Sequence, residues 1–315
     1  VLGFVAPAMA ADWNFYGSAR MEFFWQTFTD AQSDATDASS GDAEDDTDVY
    51  FDGYTNGRIG AKVKASDVIS GRFEYGTASN TRLLYGVWNF GAGTLLVGQD
   101  YSPVDTFVSN MGAFDDIGLL ANGAAYTGRM PKLKLKVAGF KAALTKLKRS
   151  GINSDNDADD LDITSSLLGL RFQVKPGAFY VKGDIFSGTN LGNSNVLLIF
   201  DSAVDSAGNE LEISSYDETN EEDASTLGFA LAVGADFSPM IGIEGGVGFL
   251  GHTLDDAEAT MTTYYVNLPI KVAPGFKIVP EYAVRVYGDG KDENGDDTED
   301  RGSVSAFGAK FQIDF

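Results

Sequence analysis

The chain has 315 residues, and its formal net charge of −23 reflects 46 acidic residues against 23 basic ones. It has no cysteine and one histidine, His252, which leaves almost no basis for a zinc site, a disulfide or thiol catalysis. The negative charge argues against nucleic-acid binding, because nucleic acids require a basic surface. The length fits one large β domain or two ordinary domains, and the 37 glycines and 22 phenylalanines favour turns and strands.

The first residues, VLGFVAPAMAADW, have the pattern of the end of a secretory signal peptide. An apolar run ends in the letters AMA, with small residues at the cleavage positions. An apolar N-terminal strand is the alternative, and Pro7 with the alanine run disfavours it. We therefore interpret residues 1–10 as a signal-peptide remnant and residues 11–315 as a single exported domain. No later stretch approaches the ~20 apolar residues of a membrane helix, so a membrane-embedded chain would have to form a closed barrel.

Apolar and polar residues alternate along most of the chain. Since successive side chains of a strand point to opposite faces, such segments predict strands with one apolar and one polar face. The last nine residues, FGAKFQIDF, place Phe307, Phe311, Ile313 and Phe315 on one face. The same alternation marks NFYGSARMEFFWQTF, TNGRIGAKVKA, ISGRFEY, PKLKLKV, AFYVKGDIF, TLGFALAVGADF, IGIEGGVGF, YYVNLPIKV and FKIVPEYAVRVY. The apolar face would be the core of a soluble sandwich or the lipid face of a membrane barrel.

The connections between these strands fall into two kinds. The short connections ASDV, GAG, MPK, KPG, SPM and APG alternate with long acidic ones such as TDAQSDATDASSGDAEDDTD and GDGKDENGDDTED. Five acidic segments (30–48, 148–162, 201–223, 255–258 and 289–300) hold 32 of the 46 acidic residues and 3 of the 23 basic ones. Short turns at one end and long loops at the other are typical of an outer-membrane barrel.

One long segment, YSPVDTFVSNMGAFDDIGLLANGAAY, follows the fifth predicted strand and lacks strict alternation. It predicts a loop that folds back inside the barrel. With this loop, the sorted connections and the terminal phenylalanine, residues 11–315 resemble the general porins of Gram-negative outer membranes. Phe311, Ile313 and Phe315 resemble the C-terminal signature that barrel-assembly machinery recognises in such proteins.

The resemblance implies a pore constriction with acids on the loop and bases on the wall. By position, Asp105, Asp115 and Asp116 match the loop acids. The matching basic wall residues, on the polar faces of predicted strands, are Arg20, Arg58, Lys62, Lys64 and Arg72, and the polar-face row in PKLKLKV adds Lys134 and Lys136. The resemblance further implies a homotrimer, contacts with outer-membrane lipid and lipopolysaccharide, no cofactor and no catalysis. The second outer connection, ASNT, is too short for the latch that trimeric porins often use, which weakens the prediction of a trimer.

The number of spanning strands depends on residues 191–223. If this segment is an outer loop that contains a hairpin, the barrel has 14 strands. If residues 195–204 and 210–217 span the membrane, it has 16, which matches the general porins and is the preferred prediction. Both totals are even, as bacterial barrels require.

Three other functions compete with passive diffusion of ions and small hydrophilic solutes. A substrate-specific channel would bind one class of solute, and a plugged barrel would act as an adhesin or structural protein. A hydrolase would need His252. The segment NSDNDADD lacks the glycine and glutamate that an EF-hand loop requires, so at most weak divalent cation binding is expected of the acidic loops. The sequence leaves the choice between cation and anion selectivity open.

Overall fold

The computed structural model describes most of the chain. The described residues are 11–29, 47–52, 57–76, 81–100, 108–114, 118–120, 132–137, 140–151, 161–192, 202–204, 210–217, 222–288, 290–292, 294–298 and 301–315. The predicted signal remnant, residues 1–10, lies outside them. The described part contains no helix long and apolar enough to cross a membrane.

Eighteen strands make up the described fold. They are β1 (Asp12–Phe28), β2 (Thr47–Asp52), β3 (Arg58–Lys64), β4 (Ile69–Gly76), β5 (Thr81–Asn89), β6 (Gly93–Gln99), β7 (Lys132–Val137), β8 (Phe140–Gly151), β9 (Leu161–Val174), β10 (Phe179–Thr189), β11 (Ser202–Val204), β12 (Glu210–Glu212), β13 (Ser225–Asp236), β14 (Gly242–Leu254), β15 (Ala257–Asn267), β16 (Ile270–Ala273), β17 (Phe276–Tyr287) and β18 (Ser303–Asp314).

Sixteen of these strands belong to one antiparallel sheet. Its pairings run from β1 through β3 to β10, then through β13, β14, β15, β17 and β18, and return to β1. Both β2 and β3 pair with β1, and both β15 and β16 pair with β17. β2 and β3 therefore form one interrupted strand, and so do β15 and β16. The sixteen strands of the sheet thus fill fourteen positions around a ring. The predicted antiparallel barrel is confirmed.

The two additional spanning strands predicted near residues 195–204 and 210–217 are not in the ring. Their described parts, β11 and β12, pair only with each other in a separate two-stranded sheet. The physical reason is that β10 pairs directly with β13 from Phe179↔Ala235 to Thr189↔Ser225, which leaves no free edge between them. The described residues thus fit the alternative, a hairpin within an outer loop.

The barrel is apolar outside and polar inside, which is the reverse of a soluble domain. On β13, Leu227, Phe229, Leu231 and Val233 are exposed, while the alternate residues face inward and are mostly buried. The buried polar residues of the described inner wall include Glu22, Glu74, Asp184, Glu244, Glu281 and Lys310. Each exposed apolar side chain would gain roughly 1.5–3 kcal/mol from leaving water. A lipid bilayer supplies that gain, and the ring of strand pairings satisfies most of the backbone groups that would otherwise face lipid.

The two ends of the barrel differ. The turns 65–68, 90–92, 175–178, 237–241 and 274–275 lie at one end, which we call the short-turn end. The opposite, long-loop end carries the connections 29–46, 152–160, 190–224 and 288–302. The C-terminus is fixed at the short-turn end, where the backbones of Gly17 and Phe315 exchange two hydrogen bonds of 2.6 and 3.0 Å. The predicted sorting of turns and loops is confirmed for these connections. The short turn predicted at MPK is wrong, because Lys132 already begins β7 and the preceding strand of the sheet, β6, ends at Gln99.

Candidate pore constriction

The segment after β6, which is the fifth strand position along the chain, lies inside the barrel. All of its described residues except Ser109 and Asn110 are buried, and Met111, Phe114 and Leu119 join an apolar cluster on the inner wall. Wall residues of this cluster include Leu250 on β14 and Met261 on β15. The prediction that this loop folds back into the lumen is confirmed.

Two buried glutamates of the wall anchor the loop. Glu244 on β14 accepts hydrogen bonds from the backbone nitrogen and the Nδ2 atom of Asn110, the latter at 2.9 Å. Glu281 on β17 accepts from the backbone nitrogens of Gly112 at 2.9 Å and Ala113 at 2.8 Å. Buried carboxylates bind amide donors about twice as strongly as neutral acceptors do. The two glutamate side chains therefore hold Asn110, Gly112 and Ala113 of the loop against the wall.

A lysine completes the clamp from β18. The Nζ atom of Lys310 donates to the carbonyl oxygens of Asn110 at 3.1 Å and Met111 at 3.3 Å. A Cβ atom added to Gly112 would lie 3.0 Å from Cβ of Lys310, so the loop backbone and this side chain are in close contact. The clamp thus satisfies both the amide and the carbonyl groups of the loop, as a buried backbone requires.

Glycines of β14 allow the loop to approach the wall. A Cβ atom on Gly248 would lie 2.5 Å from the carbonyl oxygen of Leu119, and one on Gly246 would lie 3.2 Å from a methyl carbon of the same residue. Phe114 adopts a left-handed backbone conformation with φ of 58°. The centre of its ring lies 4.5 Å from the guanidinium carbon of Arg285 on β17. The glycine-rich segment IGIEGGVGF of β14 is therefore the part of the wall against which the loop packs.

The anchoring carboxylates have further partners on the wall. Glu244 accepts hydrogen bonds from the hydroxyl groups of Tyr180 at 2.7 Å and Tyr265 at 2.5 Å, and it forms an ion pair of 3.0 Å with Lys182. Asn267 donates to Glu281 at 3.0 Å. A buried carboxylate without such partners would be costly. These contacts stabilise the negative charges that hold the loop.

A second charged cluster is centred on Glu74 of β4. Glu74 is fully buried and accepts hydrogen bonds from Tyr16 at 2.7 Å, Arg72 at 2.8 Å and Arg82 at 3.0 Å, while Arg58 approaches to 3.7 Å. Around the fourteen positions of the ring, β4 lies six steps from β14. Glu74 therefore stands nearly across the lumen from Glu244, the main anchor of the loop.

The predicted basic wall residues fall into two groups. Arg58 and Arg72 belong to the Glu74 cluster. Arg20 and Lys62 lie close by: the Nε atom of Arg20 is 3.4 Å from the Ser18 hydroxyl, and the Lys62 ammonium is 5.8 Å from the centre of the Tyr16 ring. Lys64 is different, because it pairs at 2.8 Å with Asp67 in an exposed turn. This ion pair and its hydrogen bond lower the pKa of Asp67 below its usual value. Lys64 also lines one cavity together with Lys62 and Arg72, so it lies near these two bases at the short-turn end.

The remaining predicted residues cannot be placed in the site. Asp105, Asp115 and Asp116 lie outside the described residues, as do the side chains of Lys134 and Lys136, whose backbone belongs to β7. The sequence pattern does not reveal the roles of Glu244, Glu281 and Lys310. The signal was present in IGIEGGVGF, where one acid stands on the polar face among glycines, but the same pattern fits any lumen-facing acid.

Comparisons with known proteins agree on the architecture. No protein-family model matches the chain, and no curated relative matches it. One similar solved structure is the outer-membrane channel DcaP of Acinetobacter baumannii, with a TM-score of 0.58, 15% sequence identity and coverage of 100% of both chains. A second is outer-membrane expressed OmpT of Vibrio cholerae, with a TM-score of 0.56, 10% identity and coverage of 98% of this chain and 99% of that one. A third is an anion-selective porin from Comamonas acidovorans, with a TM-score of 0.51, 10% identity and coverage of 97% of this chain and 100% of that one. The chain has the fold of the outer-membrane porins. The apolar outer surface of the described barrel fits a barrel that is embedded in a lipid bilayer.

Proposed function

We propose that this porin-like barrel is a water-filled channel for passive diffusion of ions and small hydrophilic solutes. The observation that carries the proposal is the asymmetric lumen. The loop is clamped to β14, β17 and β18, whereas Lys62 is exposed and Arg20 and Arg72 are half-exposed on β1, β3 and β4. Charged side chains that are not deeply buried indicate water in front of them, since removing a charge from water is costly.

Charges at the narrowest part of such a channel set its selectivity. The Glu74 cluster brings Arg58, Arg72 and Arg82 to one carboxylate, so this side of the lumen has an excess of positive charge. Asp105, Asp115 and Asp116 would supply the opposing negative charge from the loop, and Lys134 and Lys136 would add to the basic wall. A transverse field between the two sides would favour dipolar solutes over apolar ones, which must displace ordered water.

A partly closed channel is the second candidate, because one observation favours it. Leu191 and Ile213, both from the connection between β10 and β13, are buried in the same apolar cluster as the loop. The long-loop mouth is therefore covered in part on this side. A plugged adhesin would extend that cover across the whole mouth, and a substrate-specific channel would leave a narrow opening.

We further propose that the barrel catalyses no reaction. The alternative hydrolase would need an accessible His252, but this residue is 1% exposed and its Nδ1 atom lies 2.9 Å from the Thr226 hydroxyl. No group of three or more potential ligands that could hold a metal ion occurs in the described part of the chain. Weak divalent cation binding would be confined to the acidic outer loops.

The remaining proposals concern assembly. One similar structure, in-vitro folded OmpT of Vibrio cholerae, is described as a trimer form, and a homotrimer is the proposed state of this chain. Ile313 on β18 and Phe315, which follows the strand, are exposed, so lipid and the barrel-assembly machinery could reach them together with Phe311. With short turns facing the periplasm, the acidic long-loop end would meet the lipopolysaccharide surface.

Liposome swelling tests the proposed function. Vesicles that contain the folded protein are diluted into isotonic sugars of increasing size. A diffusion channel predicts swelling rates that fall smoothly with sugar size and do not saturate with concentration. A rate that saturates for one solute would indicate a substrate-specific channel, and no swelling with any sugar would indicate a plugged barrel.

A further inference from the structure

The side chain of Tyr16 reaches across a neighbouring strand of the wall. Tyr16 on β1 is directly opposite Gly60 of β3 in the register of the sheet. A Cβ atom added to Gly60 would lie 2.9 Å from the Tyr16 hydroxyl oxygen, so the side chain crosses β3 at a position where glycine leaves room for it. The hydroxyl group thereby reaches Glu74 on β4, the second strand away from β1. Tyr16 therefore links three strands of the wall.

The Tyr16 hydroxyl group holds an arginine and a glutamate together. It donates to Glu74 at 2.7 Å and accepts from the Nε atom of Arg72 at 2.7 Å. The Nη2 atom of Arg72 also donates to Glu74, at 2.8 Å. Each of these three hydrogen bonds involves a charged group, which makes it about twice as strong as a bond between neutral groups. The closed triangle of bonds therefore fixes the direction of the Arg72 guanidinium group.

The ring of Tyr16 lies next to two cations. Lys62 on β3 and Arg72 on β4 are directly opposite partners in the antiparallel pair. Like charges directly opposite in a sheet repel each other and destabilise it. The centre of the Tyr16 ring is 5.8 Å from the Lys62 ammonium and 5.1 Å from the Arg72 guanidinium carbon, which is close enough for cation–π attraction. The ring thus offsets part of the repulsion and keeps the two cations side by side.

Both cations line one cavity of about 560 Å³ at the short-turn end. The other charged residues that line it are Asp12, Lys64 and Asp67. Lys62 is exposed and Arg72 is half-exposed, whereas the Glu74 carboxylate is fully buried. A solute that enters this cavity therefore contacts the two cations and not the buried carboxylate.

From this arrangement we infer that Tyr16 is a positioning residue that sets the ion selectivity of the channel, because it holds Lys62 and Arg72 together. Two cations held side by side attract an anion more strongly than the same cations apart, since each attraction falls with distance. Arginine does not lose its proton in proteins, so the position of Arg72 and not its protonation decides its effect. The inference deepens the proposed diffusion channel. The role of Tyr16 in selectivity rests on that function, whereas its hold on Arg72 does not.

Chemical modification of Arg72 tests the positioning without any need for conductance. Phenylglyoxal is added to the folded, detergent-solubilised protein, and peptide mass spectrometry gives the rate of modification of each arginine. Tyr16→Phe keeps the ring but removes the hydroxyl group, so Arg72 should react about fivefold faster, the effect of losing one hydrogen bond of average strength. Arg171 is the internal control: it pairs with Asp184 at 2.9 Å on other strands and should react at the same rate in both proteins.

Reversal potentials across a potassium chloride gradient test the role in selectivity. Tyr16→Phe should shift the potential towards cation selectivity, because Arg72 is then free to move away from Lys62. Tyr16→Leu also removes the ring and should give a larger shift in the same direction. The matched control Tyr264→Phe loses one hydroxyl group on the exposed face of β15 and should leave the potential unchanged.

The two measurements separate this inference from the proposed function. Equal rates of Arg72 modification in Tyr16→Phe and in the unaltered protein would overturn the inference. Unchanged reversal potentials in both Tyr16 variants of a conducting channel would overturn it as well. Faster modification of Arg72 in a protein without conductance would support the hold of Tyr16 on Arg72, and it would overturn the diffusion channel together with the role in selectivity.

Discussion

Removal of the Glu281 carboxylate should release the constriction loop from the wall. Glu281 accepts hydrogen bonds from Gly112, Ala113 and Asn267 at 2.8 to 3.0 Å, and its side chain is buried. In Glu281→Ala all three donors lose their acceptor. Each unsatisfied buried donor costs about 1–3 kcal/mol. Water will enter and recover part of that cost, so we expect the closed position of the loop to lose about 2–3 kcal/mol.

Thiol labelling measures this loss because the chain has no cysteine of its own. Met111→Cys places one thiol in the loop at a position that is 2% exposed. If labelling requires the loop to leave the wall, a loss of about 2–3 kcal/mol raises the rate of maleimide labelling about 30- to 150-fold. Glu281→Gln retains one acceptor oxygen and should give a smaller increase.

The matched control for this prediction is Glu258→Gln. Glu258 forms an ion pair of 3.0 Å with Lys291 at the long-loop end, and its side chain is 45% exposed. This variant should leave the labelling rate of Met111→Cys within about twofold, since exposed ion pairs contribute little. Equal labelling rates in Glu281→Ala and in the unaltered background would refute the anchoring role of Glu281.

Four further predictions follow from the same geometry. In Gly112→Cys/Lys310→Cys the two Cβ atoms start about 3.0 Å apart. A disulfide of ordinary geometry therefore requires the two Cβ atoms to move apart by less than about 1 Å. Mass spectrometry after oxidation should find the crosslink and not two free thiols. Gly248→Ala should push Leu119 off the wall and speed thiol labelling of the loop. Gly251→Ala should not, because its Cβ would meet the Phe249 ring at 3.4 Å and Thr260 at 3.9 Å, which are ordinary contacts. Glu74→Gln removes the shared partner of Arg58, Arg72 and Arg82, and the reversal potential should shift towards anion selectivity; a shift towards cations would contradict the assignment of this cluster to the lumen. Because Lys64 lowers the pKa of Asp67, Lys64→Gln should return that pKa to its usual value in a carbon-13 titration. Any stabilisation of the fold by this ion pair is present above the ordinary pKa of Asp67. It is lost as the pH falls through the lowered pKa of the folded state.

Much of the fold follows from local patterns in the sequence. Alternation in segments such as TLGFALAVGADF predicts a strand and its two faces, because the period of side-chain direction is fixed. The contrast between short turns and long acidic loops predicts which end of the barrel each connection occupies. The inward loop is predicted because residues 101–126 break the alternation, and its described residues are indeed inside.

Pairing partners and side-chain roles were harder to predict. Alternation identifies β11 and β12 as strands but does not say that they pair with each other, because β10 and β13 meet across 35 residues of chain. Glu244 and Glu281 have the period of lumen-lining acids, and only the folded loop shows that their carboxylates bind its amides.

Single-channel recording in a planar bilayer tests the central claim, that the lumen is an open aqueous path. The purified, folded protein is inserted and the current is recorded over a range of voltages, followed by a potassium chloride gradient. The proposed function predicts stepwise insertions of ohmic conductance and a measurable reversal potential. Folded, membrane-inserted protein that conducts no current would contradict it and would leave a plugged barrel as the remaining account.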